Sequence, residues 1–575
     1  MIYIIKEKSD VLIIGSGGAG IRAALELSDR NINVIVVGKC KKRDAHTIMA
    51  TGGINAALGN MDQNDSWQFH AADTIREGRY INDPLGVKIL CKNAPNAIHE
   101  LAQWKAKFHR EKNGKITQRF FGAATYRRAC FVGDHTGKEI LTILVNQALK
   151  RKIIFRNEIY IFSLLHKQGK VNGAIGLHIR TGKLILFHSK IIILATGGHS
   201  KMFSRSSSRF WENNGDGIYL AYQCNAIFKD MEMFQFHPTG MLFPPEAEGI
   251  LVTEAIRGEG GILTNAKGER FMRKYDAKRM ELSARDIVAR AIFKEIQMGS
   301  GTKHNGIWLD VSHKPKKYIL KRLPKVYEQF KRYSQIDISK QKMEVAPTAH
   351  YSMGGISVNY KTGKTNIPNL FAIGEVTGGL HGANRLGGNS LAEIIVFGRL
   401  IGKQCAKDVK KTKWIPLDEK LIEQRKKELI KKCETKKGKD PIQIKKLIQQ
   451  MMWKYVGVIR NENGLKKALK ELEKYKRIHL EGGNSLVRNK KLIAILDIQN
   501  MFPTCEMIIQ SALTRKESRG AHYRSDYPKI SVKWKKSILC IPTKNGFTVS
   551  TKKIPHIPKE IKKFLKNKRR EHFLE

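Results

Sequence analysis

The sequence predicts a chain of class α/β + α. A parallel-sheet domain is split in two by an inserted α+β domain, and a helical domain and a basic C-terminal appendage follow. Three observations carry that expectation. The apolar run Ser9–Ile14 ends in Gly15-Ser16-Gly17-Gly18-Ala19-Gly20, a G-x-G-x-x-G turn, and a helical pattern follows over Ile21–Ser28. Two further apolar runs, Lys190–Leu194 and Leu370–Ile373, also end at Gly turns although they lie far downstream. Between them, residues 241–340 lose this pattern and are broken by Pro244-Pro245, Gly258–Gly261 and Gly299–Gly301, as an insertion would be.

Each element has a physical reason. A G-x-G-x-x-G turn between strand and helix leaves bare backbone amides at a helix N-terminus, where a pyrophosphate binds. Asn33–Val37 completes the βαβ unit of a dinucleotide-binding fold. That strand ends Val37-Gly38-Lys39, without the Asp or Glu that ordinarily holds a ribose, so the adenosine must be held differently. Ala45-His46-Thr47-Ile48-Met49-Ala50-Thr51-Gly52-Gly53 then sets a histidine in a Gly-rich stretch, placed to touch a flavin ring. Downstream, Ala195-Thr196-Gly197-Gly198 turns beneath the cofactor, Asp216 opens a helix after Asn213-Asn214-Gly215, and Glu375 follows Gly374. Any one of these Gly turns alone is an ordinary loop; together they read as edges of one cofactor site.

These pieces divide the chain into 1–240 and 341–410 for the split dinucleotide-binding domain, 241–340 for a capping domain, 415–526 for a helical domain and 527–575 for the appendage. The helical domain shows apolar spacing such as Leu465, Ala468, Leu469 and Leu472. The appendage is Lys-rich with Pro542, Pro555 and Pro558, which predicts order only in part or order supplied by a partner.

Composition bounds the rest. At 575 residues, 41% hydrophobic and 27% charged, the chain fits a soluble protein of several units. No apolar run approaches the roughly 18–20 residues a membrane helix needs, and no signal or transit peptide is expected before the first strand. The eight cysteines form no C-x-x-C, so no iron–sulfur cluster or metal site is expected within the chain, and a reducing compartment is the simplest fit. The net charge of +52 is read as Lys-rich drift of solvent faces such as Arg425–Lys432, with no nucleic acid expected, though a basic field would draw in a dianion.

Further motifs now name a family. They are His237-Pro238-Thr239-Gly240, Thr253-Glu254, Arg257-Gly258-Glu259-Gly260-Gly261, Arg285-Asp286, His350-Tyr351-Ser352-Met353-Gly354-Gly355, His381-Gly382-Ala383-Asn384-Arg385-Leu386-Gly387-Gly388-Asn389-Ser390 and Glu517-Ser518-Arg519-Gly520-Ala521-His522. With Gly15–Gly20, His46-Thr47 and Gly52-Gly53, their order over Ser9–Pro528 resembles the flavoprotein subunit of succinate dehydrogenase and fumarate reductase.

The resemblance implies FAD bound covalently through His46, with Gly15, Gly17, Gly18 and Gly20 at the pyrophosphate and Lys39 near the adenosine. Thr47, Gly52, Gly53, Asp216, Glu375, Ser390 and Leu391 match further flavin-contacting positions, with Asn389-Ser390 starting a helix aimed at the ring. It implies a four-carbon dicarboxylate, succinate or fumarate, gripped by His237, Thr253, His350 and Arg385; guanidinium forks suit carboxylates. Phe121 is either a ring packed over substrate or a core aromatic. Arg285 becomes the proton-transfer group and Glu254 and Arg257 its relay to solvent, although from the residues alone the three read as a structural ion-pair network. Electrons then need a partner, an iron–sulfur subunit with a membrane anchor, at the cytoplasmic face of a membrane, with succinate oxidation favoured over fumarate reduction.

Two rival readings fit less well. L-Aspartate oxidase shares this pattern but usually lacks the linking histidine and carries an acid in the loop meeting the amino group; Gln118 to Gly133 contains none. A basic, non-catalytic scaffold predicts lost site residues, and all are present.

Overall fold

The computed structural model describes residues 4–544 and 546–566. Its centre is a seven-stranded sheet in which Ile4–Ile14 lies between Val34–Val37 and Leu184–Leu194, all parallel. Ile154–Arg156 extends one side in parallel. On the other, Leu184–Leu194 divides its free edge. Leu184–His188 pairs antiparallel with Gly173–Leu177, while Ile192–Leu194 pairs parallel with Leu370–Ala372. The split domain therefore closes on itself through one strand.

The pleat sorts these strands between two cores. Val11, Ile13, Val34, Val36, Ile191 and Ile193 face helices that include Gly18–Ser28 and Asn389–Val409. Leu12, Ile14, Ile35, Val37, Ile192 and Leu194 face the other side, where Pro441–Val456, Glu462–Lys476 and Lys490–Thr514 pack. Strands apolar on every residue are what a sheet covered on both faces requires. The observed strands Ile4–Ile14 and Leu184–Leu194 start earlier than the apolar runs suggest, because the polar residues Lys6, Lys8 and His188 lie at paired positions in the ladder.

Residues 234–352 build a second, antiparallel sheet in the order Phe234–Met241, Met343–Ser352, Ile307–Asp310, Ile262–Thr264. It has its own core, including Ile256, Leu263, Val288, Leu309 and Phe330. Its two long strands are also the chain's exit from and return to the central domain.

Two sequence expectations are corrected here. The helix Lys490–Thr514 is long and apolar enough to cross a membrane, although scattered polar residues keep it from being an unbroken apolar run. It is instead a core helix, with 72% of its most apolar window buried. The described part of the appendage packs on the chain itself, without a partner: Lys536–Thr543 and Gly546–Lys553 form a hairpin whose inner strand pairs with Phe228–Lys229. Beyond it, the helix Lys559–Leu565 docks on Trp67–Glu77, with Ile561 buried, Phe564 edge-on to Phe69, and Arg76 donating to the Phe564 carbonyl. Residues 567–575 of the appendage lie outside the described residues.

If that last helix is integral, Ile561→Ala should cost about 2–4 kcal/mol, as deletions in a packed core do. Thermal unfolding of Ile561→Ala beside the exposed Lys562→Ala checks this; equal transitions for both would place the helix outside the core.

Candidate active site

One long cavity runs between the central sheet and the cap. Gly15, Gly17, Gly18, Lys39, His46, Thr47, Gly52, Gly53, Asp216, Glu375, Ser390 and Leu391 line it together with Phe121, His237, Thr253, Glu254, His350, Arg285 and Arg385. Two sequence-selected residues do not. Gly20 sits behind the turn, where a Cβ would overlap the Gly15 carbonyl oxygen, so its part is close packing of helix on strand. Arg257 is buried behind Glu254 and donates to the Glu281 carbonyl at 2.6 Å, not to Glu254.

At the cofactor end, Gly15 has φ +122° and its α-hydrogens face the Ala195 carbonyl, a conformation and a closeness only glycine allows. The helix Gly18–Ser28 starts there and aims its N-terminus at the cavity wall. Thr47 Oγ1 accepts from the Gly18 amide at 3.0 Å, which fastens the short turn His46–Met49 to the glycine turn. Gly137 lies under the Thr47 carbonyl with no room for a side chain. The histidine segment is thus held from both sides. His46 Nδ1 lies 3.0 Å from Glu212 Oε2, which leaves Nε2 as the nitrogen without a carboxylate partner. Burial disfavours the imidazolium, but Glu212 outweighs it and holds His46 above the ordinary histidine range, while Glu212 sits at about 2. Glu375 accepts from the Ser352 amide, and burial pushes its carboxyl up to about 7. The helix Asn389–Val409 begins at Gly388, with Ser390 and Leu391 of its first turn on the cavity wall.

These residues fit an extended dinucleotide. Bare amides lie at the middle, apolar strand ends (Val37, Ile159, Ile161) beside the Lys39–Asp216 pair at one end, and the histidine turn at the other. Thr196 Oγ1 and Arg385 Nε are buried polar atoms without a partner, as a site built for a ligand leaves them.

The cap supplies a cationic pocket. Its strands Phe234–Met241 and Met343–Ser352 pair antiparallel and bring His237 and His350 edge-on, with ring centres 5.3 Å apart. Burial and the nearby Arg285 and Arg257 keep His237 well below the ordinary histidine range; burial, His237 and Arg385 do the same for His350. Both rings are therefore neutral imidazoles at pH 7, with Thr239 against Nδ1 of His237 and Ser207 against Nδ1 of His350 at 2.9 Å. Arg285 opens the helix Arg285–Glu295 and grips Glu254 through Nε at 2.7 Å and Nη2 at 2.6 Å. Burial works against the Glu254 charge, but Arg285 and Arg257 outweigh it and lower its carboxyl to about 2. Arg385 lies with its guanidinium 4.3 Å from the Tyr351 ring centre, and burial next to Arg285 lowers it to about 10. The Phe121 ring, buried itself, lines the cavity between Gly52, whose Cβ would fall 2.6 Å from it, and Gly387.

Sequence reasoning missed three residues. Gln235 Oε1 accepts from both Arg285 (3.0 Å) and Arg385 (3.1 Å), and its amide nitrogen donates to Asn384 and to the Arg385 carbonyl. One signal was present, since Gln235 is two residues before His237 on a strand. Glu212 carried no pattern, and Tyr351 stood in the motif that begins at His350 without a role of its own; it donates to Glu393 at 2.6 Å beneath Arg385. The arrangement can bind a small dianion against a planar cofactor, with Arg285 held in one orientation by Glu254 and Gln235.

Comparison with known proteins agrees with this geometry. A model of the FAD binding domain matches residues 10–391, and one of the fumarate reductase flavoprotein C-terminus matches 445–570. The chain is 43% identical to a fumarate reductase (CoM/CoB) subunit of Methanothermobacter marburgensis over 535 residues, 92% of this chain and 96% of that one. It is 36% identical to the succinate dehydrogenase flavoprotein subunit of Rickettsia bellii over 550 residues, 91% of each. Among solved structures, Mycobacterium smegmatis Sdh1 superposes with a TM-score of 0.88 at 38% identity, covering 97% and 96% of the two chains. An E. coli quinol–fumarate reductase chain gives 0.91 at 29% identity, covering 97% and 99%. A family model spanning most of the chain and relatives this similar over nearly its whole length have one consequence: the chain belongs to the FAD-dependent flavoprotein subunits of the succinate dehydrogenase and fumarate reductase family.

Proposed function

We propose that this protein interconverts succinate and fumarate, and that its FAD is tethered through His46. The observation that carries the reading is the cluster of Arg285, Arg385, His237 and His350 facing the cavity wall that also bears the glycine turn and His46. When bound, the flavin supplies a two-electron hydride acceptor or donor. Everything else falls to the chain. Arg385, His350, His237 and Thr253 grip the two carboxylates; neutral imidazoles and a hydroxyl donate hydrogen bonds while the guanidinium supplies charge. Arg285 has five N–H groups, of which Nε, Nη1 and Nη2 each make a contact, to Glu254 or Gln235. That grip orients the fork so that a remaining N–H delivers or regains the proton at a substrate carbon. Glu254 is the next acceptor in line, and Arg257 biases it electrostatically rather than through a direct bond. Phe121 and the cap exclude water.

The linked reading for His46 rests on Glu212. A carboxylate on Nδ1 orients the ring and leaves Nε2 as the nitrogen that takes the link once the ring has lost its proton; the same pairing orients the general-base histidine of hydrolytic triads. Electrons leave through an iron–sulfur partner; with a membrane-anchor subunit this places the assembly at the cytoplasmic face of a membrane. The cysteines of this chain are all unpaired, and among the described residues none joins a metal-binding group. Residue chemistry favours succinate oxidation if the tether raises the flavin potential. The higher identity to a fumarate reductase chain, 43% against 36%, favours a second reading in which the physiological direction is reduction.

Three measurements test this. With artificial electron donors and acceptors, Arg285→Met should lose about 10²–10⁴-fold in rate in both directions while keeping its flavin; undiminished turnover would remove Arg285 from the chemistry. Acid-denatured protein should retain yellow fluorescence on the polypeptide, and His46→Ala should release it; release from the unaltered chain would refute the tether. Because His237 and His350 are held neutral well below the ordinary range, the KM for the dicarboxylate should stay flat from about pH 8 down through 6, with no break near the ordinary histidine value of about 6.5. A steep change there that persists in Glu375→Gln, which removes the carboxyl that titrates at about 7, would mean that an imidazolium, not an imidazole, binds substrate.

A further inference from the structure

The missing ribose acid leaves a question that the central domain does not answer alone. Lys39 stands where a dinucleotide-binding strand ordinarily ends in a carboxylate, and its ammonium contacts Asp216 Oδ2 at 2.7 Å. Asp216 in turn accepts at Oδ1 from Asn500 Nδ2 at 2.9 Å, and Asn500 belongs to the buried helix Lys490–Thr514. The same amide reaches the Tyr160 hydroxyl at 2.9 Å, and Tyr160 donates to Asp497 Oδ1 at 3.0 Å. Asp497 is closed from behind by Lys445 at 2.6 Å, from the helix Pro441–Val456, and its Oδ1 lies 3.9 Å from the Lys39 ammonium. Lys39 also sits 4.8 Å over the Tyr160 ring. Tyr160, Asp497, Asn500 and Lys445 are all buried.

Two lysines and two aspartates balance in charge, and every polar group named has a partner. A cluster of this kind, taken out of water, costs desolvation energy that a well-packed apolar set would not. It is therefore poor evidence for stability and better evidence for orientation. Only three of its members, Lys39, Asp216 and Tyr160, reach the cavity, beside Val37, Ile159, Ile161 and Leu220, which make an apolar slot suited to a purine. The other three lie behind them on the helical domain.

We propose that Asp497 and Asn500, backed by Lys445, are positioning residues through which the helical domain sets Lys39 and Asp216 for the adenosine half of FAD. Asn500 fixes Asp216 through Oδ1 while Lys39 holds Oδ2, each oxygen keeping a further lone pair, and Asp497 draws the Lys39 ammonium down onto the Tyr160 ring. The pair then offers the ribose a fixed acceptor and a fixed donor, in place of the single carboxylate of a standard dinucleotide fold. Retention of the dinucleotide thus depends on a domain that touches neither pyrophosphate nor flavin ring. This inference rests on the placement of FAD in the cavity proposed above.

The test compares FAD with FMN, which has the same ring and lacks the adenosine. Full-length His46→Ala protein is used, so that no tether hides affinity, and both flavins are titrated into its apoprotein by fluorescence. Adding Asp497→Ala should weaken FAD about tenfold, the worth of a lost charge-assisted hydrogen bond, and leave FMN unchanged; Asp497→Glu should restore most of the loss. Should Asp497→Ala fold poorly, the paired change Asp497→Leu with Lys445→Met removes both charges from the core together and is read in the same way. FAD affinity that does not move, or FAD and FMN falling equally, overturns the proposal. Failure of the His46→Ala parent to bind FAD at all overturns the cofactor placement, and this inference with it.

Discussion

The structure is organised around one electrostatic constraint: two buried arginines, Arg257 and Arg385, and the partly buried Arg285 surround the buried carboxylate of Glu254. Breaking a buried pair such as Arg285–Glu254 leaves an uncompensated charge worth about 3–5 kcal/mol, so the positions of the elements that carry it are tightly specified. Glu254 precedes the short helix Ala255–Gly258, Arg285 opens its own helix, and Gln235 reaches both Arg285 and Arg385 from the strand that leads into the cap. The excess positive charge is what a dianionic substrate would complete. A neutral carboxamide between the two arginines, rather than a further carboxylate, keeps that excess available.

The two sheets divide the work. The central sheet, covered on both faces, ends its strands at glycine turns and so exposes backbone amides without exposing apolar surface. The cap sheet has a separate core and presents side chains: His237 and His350 from paired strands, Thr253 and Arg285 from the segments between. The polar side chains of one half thus face the backbone amides of the other across one cavity. The buried polar cluster of Tyr160, Lys445, Asp497 and Asn500 adds the helical domain to the same cavity from behind.

Much of this was legible in the residues. Gly15–Gly20 after an apolar strand announced the turn because only glycine tolerates those contacts, and strand ends at 194 and 372 could be joined to it by the same logic. His237, Thr253, His350 and Arg385 were legible as carboxylate-binding candidates, and Arg285 as the proton-transfer candidate, through the family resemblance. What sequence could not show was which groups touch. Arg257 stops short of a direct bond to Glu254, and Gln235 bridges two arginines, because both facts depend on how distant segments cross. The C-terminal hairpin was hidden for a related reason: its Lys-rich composition describes the exposed strand, while Ile538 and Cys540 of the inner strand are buried against Phe228.

The central claim is that one cavity holds a flavin against a clamp for a four-carbon diacid. Single-turnover mixing tests it most directly: chemically reduced protein is mixed with fumarate without oxygen or partner subunits, and flavin absorbance and product are followed together. The account predicts that the flavin reoxidises with one succinate formed per flavin. A reduced flavin that persists with fumarate, in a protein whose oxidised flavin is bleached by L-aspartate, would contradict it.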